Sequence, residues 1–600
     1  MRIVVCVKWV PQLRALAFDP QTRRLVREGV PGEVSAFDVR AVVGAVALRE
    51  RHGGEVVVLT MGPPAARAGL VEGLALGADR AIHLADPALA GSDTLATARA
   101  LAAVLVREAP DLVLLGRASV DAETGQVGPE LAELLDLPQV TAVRHLRLDD
   151  ACRTFDVERD TDDGIETVAG ALPVVLTVGE DFAPERLPSK TDRQAAATKP
   201  VVTVGLADVG LGASAVGAAG SPTWVEGLES ADVARRGERL EGGTPEDLAR
   251  RLGERLRALG ALGGSAVEAP ALPPPSAGTG PAVWVVVEMA GSRPARVTAE
   301  LLSKAVALAG PLGAPVEAIV IGAGTEHVAR LAAAGADRVL LAEEPSLEPY
   351  STEAHAAVLA VAIREREPRL VLFASTIRGR DLAPRVAARL GLGLTGDAID
   401  VDVDAEGRVR QLKPAFGGAI VAPILSHTRP EMVTVRPGLL AALRPDPTRH
   451  AVVEQLAIPA VEPRVRVVSR TPLEDAGAGL DGARLVLGIG RGVGGPEGVA
   501  IVRAVATRIG AALAGTRDVV DAGWLPRHLQ VGLTGRAIAP RLYVALGVSG
   551  AMEHMVGLRR AGTIVAINAS AKAPILRAAD LAVVADLHAL LPYFDAAFAG

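Results

Sequence analysis

Arg484-Leu-Val-Leu-Gly-Ile-Gly490 runs into Gly490-Arg-Gly-Val-Gly-Gly495, and Pro496-Glu497 then opens an apolar helical pattern from Val499 to Leu513. A strand-length apolar run, a glycine-dense turn and a helix with proline in its first turn present backbone N–H groups to a phosphate in α/β folds. Two similar junctions follow. Leu542-Tyr-Val-Ala-Leu-Gly-Val548 leads into Ser549-Gly-Ala-Met-Glu-His554 at the start of another helix, and Ile564-Val-Ala-Ile-Asn568 is a third strand. Together they point to a dinucleotide site in residues 481–600. The G-x-G-x-x-G spacing alone also suits a helix packed close to a strand. NAD is disfavoured, because the next strand, Ala511 to Gly515, runs into Thr516 and Arg517 and its acid, Asp518, comes one step late.

Working outward, six hundred residues imply roughly three or four domains, and 49% apolar content is ample for their cores. The formal net charge of −7 argues against nucleic-acid or anionic-membrane partners. The two cysteines, Cys6 and Cys152, suit a reducing cytoplasm and leave no iron–sulfur ligand set, and the ten histidines form no metal-type pair. The chain opens on a strand, Ile3–Val7, rather than a signal peptide, and no stretch has the continuous apolar run of a transmembrane helix.

Residues 1–180 alternate strand-like runs (Ile3–Val7, Glu55–Thr60, Ala81–Leu84, Leu112–Leu115, Val174–Val178) with helical patterns such as Phe37–Arg51 and Thr94–Glu108. This is the βαβ rhythm of a parallel sheet covered on both faces. The rhythm repeats. Gly77-Ala-Asp-Arg80 recurs as Gly335-Ala-Asp-Arg338, and Pro110-Asp-Leu-Val-Leu-Leu115 as Pro368-Arg-Leu-Val-Leu-Phe373, both 258 residues on. Pro129-Glu-Leu-Ala-Glu-Leu-Leu135 then meets Pro384-Arg-Val-Ala-Ala-Arg-Leu390. The fold class expected is therefore α/β, with two pseudo-symmetric parallel-sheet nucleotide-binding-type domains and a C-terminal doubly wound, Rossmann-like domain. The first copy occupies 1–262, ending in a helical arm that Thr244 caps and Pro245 begins. A Pro/Gly/Ala/Ser-rich linker spans 263–280 and the second copy 281–470; Arg464 to Ala478 reads as a connector to the C-terminal domain at 478–600.

In the C-terminal stretch, Gly490-Arg-Gly492, Thr516-Arg517, Val520-Asp-Ala-Gly-Trp524, Leu529-Gln-Val-Gly-Leu-Thr-Gly535, Gly547-Val-Ser-Gly-Ala551 with His554, and Val565-Ala-Ile-Asn568 resemble the FAD domain of the electron transfer flavoprotein α subunit, in order and spacing. The resemblance extends over the chain: residues 1–262 resemble that family's β subunit and 281–600 its α subunit, fused with the β-like half first. It implies that FAD lies against Arg491, Thr516, Arg517, Val531, Gly532, Leu533, Thr534, Ser549, Gly550, Ala551, Met552, Glu553, His554, Asn568, Asp586 and Leu587. Arg517, His554 and Thr534 would tune the flavin. A cation near its pyrimidine end stabilises the reduced, anionic form, and a unit charge about 4 Å away is worth roughly 4 kcal/mol at a surface-like dielectric. That is on the order of 170 mV for one electron before desolvation reduces it. Leu533 stands where the family usually has Gln, so a hydrogen bond to the flavin is missing.

The first copy carries Gly116-Arg-Ala-Ser-Val-Asp-Ala-Glu-Thr-Gly-Gln-Val-Gly-Pro129 between a strand and a helix, a hydroxyl- and glycine-bearing loop suited to phosphate. The resemblance places AMP or a second FAD here, against Cys6, Ser35, Asp38, Met61, Asp121, Thr124, Gln126, Val127 and Gly128. Loop 184–200 keeps the frame of the family's partner-recognition loop, but Lys190 replaces its apolar anchor and Ala195 to Ala197 most of its basic run. The function implied is an electron carrier in the cytoplasm, between flavoprotein dehydrogenases and a membrane quinone oxidoreductase. Two alternatives stay open: a bifurcating enzyme oxidising NADH at a second FAD, and an adenine-nucleotide-binding protein without redox function.

Overall fold

The structure, a computed structural model, describes the chain apart from residues 13–16, 20–23, 27–29, 120, 231–234, 263–268, 277, 323–324, 416–419, 473–479, 481, 533–534, 537, 559–560 and 599–600. The apolar runs of the first half become strands Arg2–Cys6, Glu55–Met61, Arg80–Leu84, Leu112–Gly116 and Val174–Val178. Their side chains are buried on both faces, as a parallel sheet between helical layers requires. The sheet runs Val201–Val204, Arg80–Leu84, Glu55–Met61, Arg2–Cys6, Leu112–Gly116, Val174–Val178, Gln139–Leu148. The second copy reproduces this order strand for strand: Val452–Gln455, Arg338–Ala342, Val316–Ile321, Val283–Val286, Leu370–Ala374, Glu431–Val435, Leu394–Ala398. The sequence repeat is thus a repeat of topology. In each copy the direction of winding reverses beside the first strand, which opens a crevice at the strands' carboxyl ends.

The C-terminal sheet has Leu485–Ile489 between Ala512–Gly515 and Leu542–Leu546, followed by Thr563–Asn568 and Leu581–Val584. All pairs are parallel. The doubly wound order puts its switch point between Leu485–Ile489 and Leu542–Leu546. The helix expected to reach Leu513 is shorter. It covers Pro496–Ile509 and stops at Gly510, whose left-handed backbone caps it, so Leu513 belongs to the next strand.

Two segments leave their own sheets. Glu238–Leu240 adds a parallel strand to the edge of the C-terminal sheet, and helix Pro245–Ala258, with Thr244 capping and Pro245 at its start, lays Leu248, Leu252 and Leu256 against Phe594. Val465–Pro472, in the segment expected to be a mere connector, pairs antiparallel with Gly164–Ala171 as the tenth strand of the first sheet. No described helix is long and apolar enough to cross a membrane.

The two copies meet where helix Ile377–Leu390 packs on helix Val127–Leu134. Arg385, 1% exposed, donates to Glu133 Oε2 at 2.8 Å, Gln139 Oε1 at 3.1 Å and the Leu137 carbonyl at 3.1 Å. Gln139 Nε2 in turn donates to Asp381 Oδ1 at 2.8 Å, and Thr141 to the same oxygen at 3.0 Å. Arg385→Ala would empty a buried site and leave the Gln139 amide oxygen and the Leu137 carbonyl without this donor, while Glu133 keeps Arg389; leaving buried acceptors unmet costs about 1–3 kcal/mol each. The expected outcome is a clear drop in the thermal midpoint, well beyond that of Arg389→Ala, whose side chain is 25% exposed; equal effects would show that the buried guanidinium does not hold the interface.

Candidate functional site

The C-terminal switch point is built by close backbone approach. Gly492 N–H donates to the Gly547 carbonyl at 3.0 Å. A Cβ at Gly490 would overlap that same carbonyl oxygen, and one at Gly492 would stand 2.8 Å from Gly547 Cα. The first two glycines of the motif are therefore consumed by contact between the two strand ends. The last two behave differently: Gly494 and Gly495 have φ of +90° and +143°, and nothing lies within 4 Å of an added Cβ. They lead into Pro496–Ile509, whose N-cap makes no side-chain hydrogen bond. Open glycine backbone before an uncapped helix N-terminus is a cradle for a pyrophosphate.

The surrounding residues divide by role. Arg491 and Ala551 are exposed beside the crevice, Ser549 and Gly550 follow the adjoining strand, and Thr516 caps helix Arg517–Asp521 without a side-chain hydrogen bond. Asn568 is spent on scaffolding: its Nδ2 donates to the Val548 carbonyl at 2.9 Å and its Oδ1 accepts from Ser570 N–H. Asp586 caps helix Leu587–Leu590, and Leu587 is in the core. Met552 and Glu553 are half-buried on the short helix Met552–Met555. Leu533 and Thr534 lie outside the described residues.

Arg517 and His554 part company. Arg517 is 45% exposed and lines an open cleft of about 440 Å³ together with Arg40, Glu180, Glu185 and Arg527. It pairs with Asp521 at 3.0 Å and Glu185 at 3.8 Å, so much of its field is compensated. His554 is not among the residues lining that cleft. It is 5% exposed, with both ring nitrogens hydrogen-bonded inside the protein, and burial pushes its pKa down to about 4. At neutral pH His554 is uncharged, because burial penalises the imidazolium, so of these two residues only Arg517 carries a positive charge.

Comparison with known proteins decides what this scaffold is. The electron transfer flavoprotein domain matches residues 22–209 and again 283–461, and the electron transfer flavoprotein FAD-binding domain matches 479–559. The chain belongs to the electron transfer flavoprotein family. Among its relatives, the electron transfer flavoprotein subunit alpha of Thermoanaerobacterium thermosaccharolyticum is 38% identical over 314 residues, 52% of this chain and 95% of that protein. Protein FixB of Bradyrhizobium diazoefficiens is 37% identical over 325 residues, 53% of this chain and 88% of that one. The lactate dehydrogenase (NAD(+),ferredoxin) subunit LctC of Acetobacterium woodii is 36% identical over 303 residues, 49% of this chain and 72% of its own length. Electron transfer by a flavoprotein is accordingly the activity class, and the open cradle at Gly494-Gly495 fits the pyrophosphate of FAD.

The first copy of this flavoprotein has its own switch-point site, between the ends of Arg2–Cys6 and Leu112–Gly116. Asp38, 6% exposed, ties the two ends together: Oδ2 accepts Lys8 N–H and Oδ1 accepts Gly116 N–H, each at 2.8 Å. Burial pushes its pKa up to about 7. Ser35 Oγ is buried and has no hydrogen-bond partner among the described residues. Cys6 is buried and kept a thiol by burial, and Met61 ends a strand of the same sheet. Asp121 is held by Lys8 Nζ at 2.8 Å. Thr124 sits beside Gly396 of the second copy, and Gln126 Nε2 donates to the Leu394 carbonyl at 3.0 Å. Val127 begins the helix that follows, and a Cβ at Gly128 would overlap Thr177, so this glycine serves packing. Sequence reasoning missed Lys8, and it missed the ion pairs that brace the loop from the second copy: Arg436 with Glu123 and Asp397, and Arg380 with Asp397. The signal for them was slight: isolated charges at or just past the ends of apolar strands (Lys8, Asp397, Arg436), in a loop (Glu123) and on a helix (Arg380).

In loop 184–200, Ser189 and Asp192 form a capping box for helix Lys190–Ala196, and Leu187 is 78% exposed. Lys199 donates to the Leu74 and Ala78 carbonyls, so it ties the loop down rather than extending a basic tail.

Asp38 yields a pH prediction. Its folded pKa of about 7 lies above the ordinary carboxyl value near 4, so between the two the folded chain holds a proton that the unfolded chain has lost. The stabilisation is full below pH ~4 and is lost as pH rises through ~7, by up to about 4 kcal/mol at roughly 1.4 kcal/mol per pH unit. Wild type should gain thermal midpoint over Asp38→Asn as pH falls from 8 to 4; parallel pH profiles would place the Asp38 carboxyl in the ionised state throughout.

Proposed function

We propose that the chain is a one-chain electron carrier in which residues 1–262 serve as the β subunit and 281–600 as the α subunit. The observation that carries this reading is the C-terminal switch point, where open glycine backbone and an uncapped helix face a crevice whose far side is Thr516-Arg517. FAD, when bound, supplies the isoalloxazine that accepts and releases electrons. The protein's residues bind and orient it: the Gly494-Gly495 turn takes the pyrophosphate, and Ser549, Gly550 and Thr516 offer donors along the crevice. Arg517 holds a positive charge where negative charge accumulates on reduction.

The cleft that Arg517 lines is crossed by ion pairs between the two parts of the chain, Arg527 with Glu180 and Asp181, and Arg517 with Glu185. The more exposed pairs, Arg517 with Glu185 and Arg527 with Asp181, are worth about 0–1 kcal/mol each and are screened by salt, while the Glu180 carboxylate facing Arg527 is nearly buried. Such contacts suit a carrier domain that turns between a donor and an acceptor. The donor in this reading is a flavoprotein dehydrogenase docking near loop 184–200, where Leu187 offers an apolar anchor in place of the one lost at Lys190. The acceptor is a quinone oxidoreductase at the membrane, met from the cytoplasm.

A second reading has support in the relative named as an NAD(+),ferredoxin lactate dehydrogenase subunit. Here the first-copy site, with Ser35 Oγ unpartnered, takes a second FAD instead of AMP, and NADH reduces it. Denaturing extraction of the purified chain tests both. One FAD and one AMP per chain is the expected result; two FAD with bleaching by NADH establishes the bifurcating enzyme, and no flavin uptake defeats both in favour of a nucleotide-binding protein. In the loaded carrier, Arg517→Ala should lower the flavin midpoint potential by on the order of 40 mV, the equivalent of about 1 kcal/mol for a half-exposed, paired cation. Spectroelectrochemistry measures it, and an unchanged potential would remove Arg517 from the flavin's surroundings.

A further inference from the structure

Behind the C-terminal crevice lies a row of three hydrogen-bonded groups. Tyr543, on strand Leu542–Leu546, is fully buried, and its hydroxyl is 2.8 Å from His554 Nε2. Nδ1 of the same ring is 2.9 Å from the Val531 carbonyl. Chemistry assigns the protons. A carbonyl oxygen only accepts, so Nδ1 carries the hydrogen; Nε2 then has its lone pair free and the Tyr543 O–H donates to it. Burial keeps that tyrosine protonated. A place is made for it: a Cβ at Gly488, on the adjoining strand, would overlap the Tyr543 hydroxyl.

The far end of the row matters to the site. Val531 N–H donates to the Gly515 carbonyl at 3.0 Å, immediately before Thr516-Arg517. Val531 is therefore held from both sides, by the strand end through its N–H and by His554 through its carbonyl. A Cβ on Gly532 would stand 3.1 Å from His554 Cα, so turn and histidine are packed as one body. The groups facing the imidazole are the Tyr543 hydroxyl from its strand and the Val531 carbonyl from its turn; Glu553, the histidine's neighbour in the chain, is half-buried on the same short helix.

We propose that Tyr543 is a positioning residue for the flavin site, locking His554 as the neutral Nδ1–H tautomer that pins the Val531 turn and leaves the positive charge beside the crevice to arginines alone, Arg517 among them. The proposal rests on the reading that this crevice binds FAD. Without the tyrosine donor, Nε2 is free to take a proton, the ring becomes a cation at mildly acidic pH, and the electrostatics of the site become pH-dependent.

The test uses the full chain labelled with ¹⁵N-histidine, with and without FAD, the His554 signals being assigned by their loss in His554→Gln. The expected wild-type result is a neutral Nδ1–H ring that takes no proton above about pH 5. Tyr543→Phe should raise the ring's proton affinity at least tenfold, and in the loaded protein should make the flavin midpoint potential vary between pH 5 and 7 where the wild type's does so less. An Nε2–H tautomer in wild type, protonation of the wild-type ring near pH 6.5, or a Tyr543→Phe chain whose ring titration and potential are unchanged would each overturn the proposal. Should Tyr543→Phe fail to fold, the wild-type tautomer decides alone. The expected ring signature in a chain that never takes up FAD would defeat the flavin reading and leave the hydrogen-bonded row standing, so the two failures are told apart.

Discussion

The contact on which the rest of the molecule depends is the buried guanidinium of Arg385 between the two copies. A fully buried charge is tolerable only when its donors and its counter-charge are fixed in geometry. Arg385 meets that condition with Glu133, Gln139 and the Leu137 carbonyl, all from the first copy. Asp381, one helical turn away, is met by Gln139, Thr141 and Tyr350. Each group has a defined partner, so few relative placements of the two sheets satisfy them all. The cleft on the other side is built from the opposite material. Apart from Arg527 with the nearly buried Glu180, its ion pairs are partly exposed and can be exchanged for water at little cost. The same residue types thus make a buried, fully partnered contact at one seam and a largely solvent-screened one at the other.

The two copies also show how one topology is spent in two ways. In the first, Asp38 bridges the two strand ends at the switch point and Ser35 keeps a hydroxyl in reserve. In the second, Glu288 follows the equivalent strand, but it accepts from Thr376, the residue that caps the interface helix Ile377–Leu390. Asp162 of the first copy takes the N–H groups of Ile377 and Arg378. The polar groups that could have met a ligand there are spent on the helix start, Glu288 from within the copy and the N–H groups on the other copy. The cavity left beside Glu288, Tyr350 and His355 is about 30 Å³, room for about one water and no nucleotide.

Much of the fold was legible in the sequence because parallel strands announce themselves by continuous apolar runs, and because the 258-residue repeat ties one copy's reading to the other's. What escaped was set by tertiary partners. Glu238–Leu240 and Val465–Pro472 are too short or too polar to declare themselves as strands, and become strands only where a foreign sheet edge supplies hydrogen bonds. The glycines of the G-x-G-x-x-G run were read as one device, yet two are fixed by backbone contact with Gly547 and two stand open. For His554 the charge state was not legible. Its sequence neighbours give no hint that Tyr543 and Val531 enclose it, and enclosure, not position along the chain, decides whether an imidazole is protonated.

Covalent continuity adds something that two separate subunits would lack. The core of the C-terminal sheet contains Leu248, Leu252 and Leu256, which precede the linker, alongside Leu487, Val544 and Phe594, which follow it. The arm and the C-terminal sheet bury one another's apolar faces, so in separate chains this packing would wait on association. Within one chain the effective concentration of the arm is on the order of millimolar, independent of protein concentration. The arm can therefore be short and modestly apolar and still stay docked.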